Sequence, residues 1–174
     1  MINEKTTRIT LTALFTALIC VATSVIRISI PATGGYIHFG DGFAVAASFV
    51  LGPIYGAIAA SFGAAVSDIL GGYVIYVPGT LIIKALCVLA SSLFVKYVMK
   101  NVKSDFLKYF VSATIFGIIN VFGYFIYEFA IFGPAAFAAC LGTTIQSVFG
   151  VVVACVILPV IKKVISYHLM LRHM

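Results

Sequence analysis

Long apolar runs, broken only by short polar or glycine-proline interruptions, constrain this chain more than any other feature. A helix needs about 20 apolar residues to cross the hydrocarbon core of a bilayer. In lipid it must also satisfy its own backbone hydrogen bonds. Six segments of this kind are read at 6–28, 40–52, 54–71, 78–100, 107–133 and 136–165. The breaks between them are chemically legible: Pro31 with Gly34 and Gly35, Gly52–Pro53, Gly71–Gly72, the polar stretch Asn101–Lys103–Asp105, and Gly133–Pro134. The expected fold class is all-α, a polytopic membrane protein with six transmembrane helices forming one domain over residues 1–174. Composition agrees, with 63% apolar and only 9% charged residues, where a soluble domain carries about a quarter charged. That excludes a water-soluble fold, a disordered chain and a nucleic-acid-binding domain.

The net charge of +6 reports topology in such a chain. Lys5, Arg8, Lys96, Lys100, Lys103, Lys108, Lys162, Lys163 and Arg172 fall on one side, and Arg27 alone on the other, with Lys84 inside a span. Cytoplasmic loops carry the Lys and Arg excess, so both termini are expected inside. Lys5 and Arg8 before an apolar run imitate a signal peptide, but that run continues to Ile26 without a small-residue cleavage site. It is read as the first span. Cys20, Cys87, Cys140 and Cys155 are dispersed within apolar runs and show neither metal nor disulfide spacing.

The second span is too short. Gly40 to Gly52 gives about 20 Å of helix, against about 30 Å of hydrocarbon. It crosses only if the preceding loop dips into the protein, which is tolerated where that backbone is buried or lines a polar cavity. Pro31–Phe39 is therefore expected to act as a lid over an outward-facing pocket.

Five ionisable residues lie away from the cytoplasmic flanks: Arg27, Asp41, Asp68, Lys84 and Glu128. Placed on their spans, all five fall at one level in the outer third of the bilayer. Intramembrane charges face the bundle interior and mark ligand or ion paths. Two other roles stand beside that one: ion pairing of Asp41 and Asp68 with Arg27 and Lys84 as structural ties, and capping of a helix by Asp41. Near the same level are Tyr36, His38, Tyr73, Tyr76, Asn120, Tyr124, Tyr127 and Gln146. Asn120, Tyr124, Tyr127 and Glu128 recur at helical spacing on one face. Aromatic rings with a few directed polar groups suit a flat heteroaromatic solute, although tyrosines also form interfacial belts. The candidate binding set is Tyr36, His38, Asp41, Asp68, Tyr76, Lys84, Asn120, Tyr124, Glu128 and Gln146.

Small residues stand four apart at Ala13 and Ala17, and again at Gly52, Gly56, Ala60 and Ala64. Such stripes let helices approach closely in lipid. The second is read as internal packing, the first as packing or a partner-docking face. There is no phosphate-cradling GxxxxGK[ST] motif and no HExxH or GxSxG motif. The chain is thus expected to be no enzyme and to need no cofactor or metal. Uphill transport would draw on another subunit or on an ion gradient.

The stretch from Gly34 to Leu86 resembles the substrate-binding S components of energy-coupling factor (ECF) vitamin transporters. The likeness is greatest to the riboflavin-type family, with its pyridoxine and hydroxymethylpyrimidine carriers. It is carried by Gly35–Tyr36 with Gly40–Asp41, by Leu51–Gly52–Pro53, and by Ser67–Asp68 with Gly71–Gly72–Tyr73. Tyr76–Val77–Pro78 and Ile83–Lys84 complete it. The resemblance implies a six-helix subunit that captures a vitamin outside, pairs with a membrane T component and two ATP-binding subunits, and topples to release its cargo inside. It implies that Ala13 and Ala17 contact the T component and that the first outer loop is a substrate lid. The expected setting is the lipid of a bacterial cell membrane. A single-ring vitamin, pyridoxine or hydroxymethylpyrimidine, is favoured over riboflavin, and the absence of Trp disfavours thiamine. An autonomous proton-coupled transporter acting through Asp68 or Glu128, and a ligand-free scaffold, are the competing functions.

Overall fold

The computed structural model describes residues 4–25, 27–31 and 33–171. Arg172, one of the basic residues used to orient the chain, lies outside them. The described chain is mostly helical: α1 (Glu4–Val25), α2 (Gly40–Leu70), α3 (Val77–Tyr97), α4 (Asp105–Phe132) and α5 (Ala135–Leu171). A single 3-10 turn, Val74–Tyr76, leads into α3. Between α1 and α2 the chain forms a small antiparallel hairpin, β1 (Ile28–Ile30) and β2 (Gly35–Ile37), with Ser29 opposite Tyr36.

Helix α2 is not one straight rod. A straight helix of 31 residues would run about 46 Å. Instead Gly52 takes φ 80° and ψ −179°, a conformation essentially restricted to glycine, and Pro53 follows it. The two arms fold back on each other: a Cβ placed on Gly56 would sit 2.8 Å from Ser48 Cα. The expected break at Gly52–Pro53 is thus a sharp reversal, and Gly56, Ala60 and Ala64 are buried beside it.

Helix α2 is the centre of the bundle, packing on α1, α3 and α5, while α4 packs on α3 and α5. Its face is built from Ala44, Ala46, Ala47, Ala59 and Ala60, all essentially inaccessible. Small side chains bring helix backbones close where lipid offers no hydrophobic drive for association. Polarity is distributed inside out. Leu14, Ile82, Phe122 and Leu141 are exposed on the perimeter while Lys84, Asp41 and Asn120 are enclosed. Among the described residues, five helices are long and apolar enough to cross a membrane. The chain is a multi-pass membrane protein.

Helix ends differ slightly from the sequence expectation for local reasons. Ser104 accepts a hydrogen bond from the Leu107 N–H, so α4 begins at Asp105 rather than 107. Asp105 then pairs with Lys162 of α5. Helix α5 runs on to Leu171, past the basic pair at which the apolar run fades.

Candidate functional site

At the hairpin end of the bundle a cavity of about 30 Å³ is enclosed by residues from every element except α1. The hairpin forms its cover, contributing Ile30, Gly35 and Tyr36, with His38 just beyond. The fit is close: a Cβ on Gly35 would lie 2.7 Å from the Tyr76 hydroxyl. On α5, Gly142 leaves the space that Ile30 and Ile37 fill. The segment expected as a lid lies largely within a short β-hairpin seated on the Val74–Tyr76 turn and α5.

Seven residues of the candidate set line the cavity: Tyr36, His38, Asp68, Tyr76, Tyr124, Glu128 and Gln146. Tyr36 donates its hydroxyl to Asp68 Oδ1 at 2.6 Å. Burial, then the neighbouring Asp68 carboxylate, raises the Tyr36 phenol well above its ordinary range, so it stays a donor. Tyr76 donates to Glu128 Oε1 at 3.1 Å, and the Thr33 hydroxyl reaches the same oxygen at 3.4 Å. Thr80 and Tyr124 share a hydrogen bond of 2.8 Å.

The other three, Asp41, Lys84 and Asn120, do not line the cavity and form a buried network beneath it. Lys84 Nζ lies 2.5 Å from Asp41 Oδ1 and 2.8 Å from Asn120 Oδ1. Gln146 Nε2 donates to Asp41 Oδ2 at 2.8 Å, linking this network to the cavity wall. Asp41 thus ties α2 to α3 and α5. It does not cap α2, whose N-cap position is Phe39.

His38 is held from two sides. Its backbone N–H donates to Gln146 Oε1 at 3.2 Å, and its Nδ1 accepts from the Gly40 N–H at 3.1 Å. Burial, first of all, lowers its pKa to about 4, with Lys84 and Arg27 adding to the shift and Asp41 opposing it. The ring is neutral at pH 7, as acceptance at Nδ1 requires.

Arg27 does not pair with Asp68. Its guanidinium donates to the Ser67 carbonyl at 2.7 Å, the Ser67 hydroxyl at 2.8 Å and the Ser24 hydroxyl at 3.1 Å. It also stands over the Tyr36 ring, 5.0 Å from the centroid. Tyr73 packs on Tyr36 with ring centroids 4.4 Å apart, so that tyrosine supports the lid. Tyr127 points its hydroxyl at the Ile75 carbonyl, 2.5 Å away, and is no part of the wall.

Thr33, Thr80 and Thr143 belong to the site and were absent from the sequence set. Thr80 lies one turn before Lys84 and Thr143 three residues before Gln146. The helical spacing that selected Tyr124 and Glu128 also reaches these two.

Ala13 and Ala17 are exposed on α1. They line a separate groove of about 810 Å³ between α1 and the second arm of α2, with Thr16, Tyr55, Ile58 and Phe62.

These features define a helical membrane protein that carries a lidded polar cavity at one end of its bundle. The family model for the ECF-type riboflavin transporter, S component, matches residues 3–163. The chain belongs to that family, and is accordingly a substrate-binding subunit of a vitamin transporter. It is also similar to an uncharacterized protein in gap 3'region of Pyrococcus woesei, with 29% identity over 136 residues covering 78% of this chain and 88% of that one.

Proposed function

We propose that the chain captures a water-soluble vitamin or vitamin precursor in the cavity beneath the β1–β2 hairpin. It then hands the solute inward with a T component and two ATP-binding subunits. The observation that carries this reading is the convergence of Asp68, Glu128, Tyr36, Tyr76 and Tyr124 on one enclosed space. Buried polar groups of this density are costly in a membrane interior unless they serve a ligand or ion path.

Six crossings with both termini inside follow in this reading. The arms of α2 lie side by side, as the approach of Gly56 to Ser48 requires, and the Lys and Arg excess assigns the linker end of the bundle to the cytoplasm. The lidded end then faces outward. Ala13 and Ala17, exposed in the apolar groove on α1, provide the contact for the T component.

A single-ring solute is proposed, with pyridoxine or hydroxymethylpyrimidine favoured and riboflavin next. About 30 Å³ holds roughly two waters at ~10–15 Å³ each. Either ring system therefore displaces the lid outward on entry, and the tricyclic flavin displaces it more. Asp41, Lys84 and Asn120 act from beneath, holding Gln146 in place.

The test is thermal stabilisation of the detergent-purified chain against B vitamins and their precursors. A ligand at 100 times its Kd adds about 2.7 kcal/mol of stability, so one member of the panel is expected to raise the unfolding temperature by several degrees. A flat panel on protein that unfolds cooperatively refutes the proposal.

A further inference from the structure

Asp68 and Glu128 stand on α2 and α4, each more than nine-tenths buried and each lining the cavity. They share an arrangement. One oxygen of each is engaged by hydroxyls around the lid: Asp68 Oδ1 by Tyr36, and Glu128 Oε1 by Tyr76 and Thr33. The second oxygen of each, Asp68 Oδ2 and Glu128 Oε2, is buried with no hydrogen-bond partner. Buried polar atoms are nearly always satisfied, and an orphaned one calls for a reason. Two orphaned carboxylate oxygens on the wall of one cavity share a reason if a solute brings the donors.

The two cations of this region are turned to other groups, although Arg27 Nε is itself without a hydrogen-bond partner. Lys84 is taken by Asp41 and Asn120, and Arg27 by Ser67 and Ser24. Neither lines the cavity. The other polar side chains of the wall, the threonines, tyrosines and Gln146, carry no charge, and His38 is neutral at pH 7. An anion brought here would meet two carboxylates in a low-dielectric site whose lining includes no lysine or arginine, and repulsion between like charges is strong in such surroundings.

We infer that Asp68 and Glu128 are the specificity-determining pair of the cavity. Their unpartnered oxygens accept from two donor groups of one solute. The site therefore takes neutral or cationic rings bearing hydroxyl, amine or ring N–H donors, and rejects the carboxylated or phosphorylated forms of the same rings. This rests on the solute-binding reading above and adds a charge rule to it. The same two carboxylates meet the hairpin through their other oxygens, so the lid and the solute use different oxygens of the same groups.

The experiment measures affinities of the full chain in detergent by calorimetry for matched pairs: pyridoxamine against 4-pyridoxic acid, hydroxymethylpyrimidine against its phosphate, and riboflavin against its 5'-phosphate. In whichever pair binds, the uncharged or cationic member is expected to bind at least 100-fold more tightly. Asp68→Asn and Glu128→Gln keep the shape and add N–H donors, and each is expected to narrow that ratio to less than 10-fold. Unfolding of the unliganded variants is followed alongside; where a variant does not fold, the wild-type ratio alone decides. Equal or tighter binding of the anionic member by the wild type overturns the charge rule and leaves solute binding standing. A ratio unchanged in both folded variants overturns the assignment to these residues. No binding in any pair, by protein that unfolds cooperatively, removes the solute-binding reading and this inference with it.

Discussion

Lys84 Nζ lies 2.5 Å from the Asp41 carboxylate, and the two side chains are only 1% and 3% exposed. The pair joins α3 to the start of α2, 43 residues apart in sequence, and Asn120 and Gln146 complete it from α4 and α5. Four helices thus meet in one satisfied polar cluster. Removing one member of a buried pair strands the other charge, at a cost of about 3–5 kcal/mol. Lys84→Met is therefore expected to lower the unfolding temperature sharply. Asp41→Asn combined with Lys84→Met should recover most of that loss. A double variant as unstable as the single one would show that packing of the Lys84 stem, and not the charge, is responsible.

A cover between α1 and α2 was expected because helix length is arithmetic: 40–52 is too short to cross alone, so the preceding loop was expected to dip inward, and the hairpin Ile28–Ile37 lies there. The charges were legible because Asp41, Asp68, Lys84 and Glu128 interrupt apolar runs. Their division of labour was not. Which carboxylate meets Lys84 depends on the rotation of α2 against α3, and that rotation is set by the reversal at Gly52 and the small-residue packing of Gly56 on Ser48. Thr80 and Thr143 escaped notice because a threonine in an apolar helix commonly bonds its own backbone, as Thr143 does to the Ala139 carbonyl. Tyr127 shared a face with Glu128 by spacing alone, yet the Ile75 carbonyl lay within its reach.

Tyr36 is the main tie between the hairpin and α2. Its hydroxyl bond to Asp68 is 2.6 Å long, and a hydrogen bond to a charged group contributes about 1.5–3 kcal/mol. Tyr36→Phe keeps the ring packing on Tyr73 while removing that bond. Bound vitamin is expected to dissociate roughly 10- to 100-fold faster, since every ~1.4 kcal/mol is tenfold. The association rate should change much less. Stopped-flow release measurements check this, and an unchanged release rate would mean that the lid is held by its apolar contacts with α5.

Ala13 and Ala17 lie exposed on α1, in a groove beside the second arm of α2 that shares no lining residue with the cavity. A bulky side chain there blocks a partner helix without disturbing the interior. Ala13→Trp and Ala17→Trp are each expected to abolish uptake by cells supplying the T component and ATP-binding subunits. Vitamin affinity of the isolated chain should stay within about twofold. Loss of affinity in the isolated chain would instead make this stripe part of the internal packing.

His38 gives the fold a pH dependence whose sign can be worked out. In the folded chain its pKa is lowered to about 4, chiefly by burial, and in the unfolded chain it sits near 6.5. Between those values the unfolded chain binds more protons than the folded one, so stability rises with pH across the window. The contribution is fully present above about 6.5 and is lost progressively as pH falls toward 4. Each pH unit inside the window changes stability by at most about 1.4 kcal/mol. Thermal unfolding in detergent at pH 7 and pH 5 is expected to show a clear drop at the lower pH. His38→Asn, with a side-chain oxygen that can still accept from the Gly40 N–H, should flatten that drop. The protonated ring would also lose its Nδ1 acceptor for Gly40, which loosens the junction between the lid and α2. Vitamin retention is therefore expected to weaken over the same interval. A drop of equal size in His38→Asn would move the effect to the carboxylates.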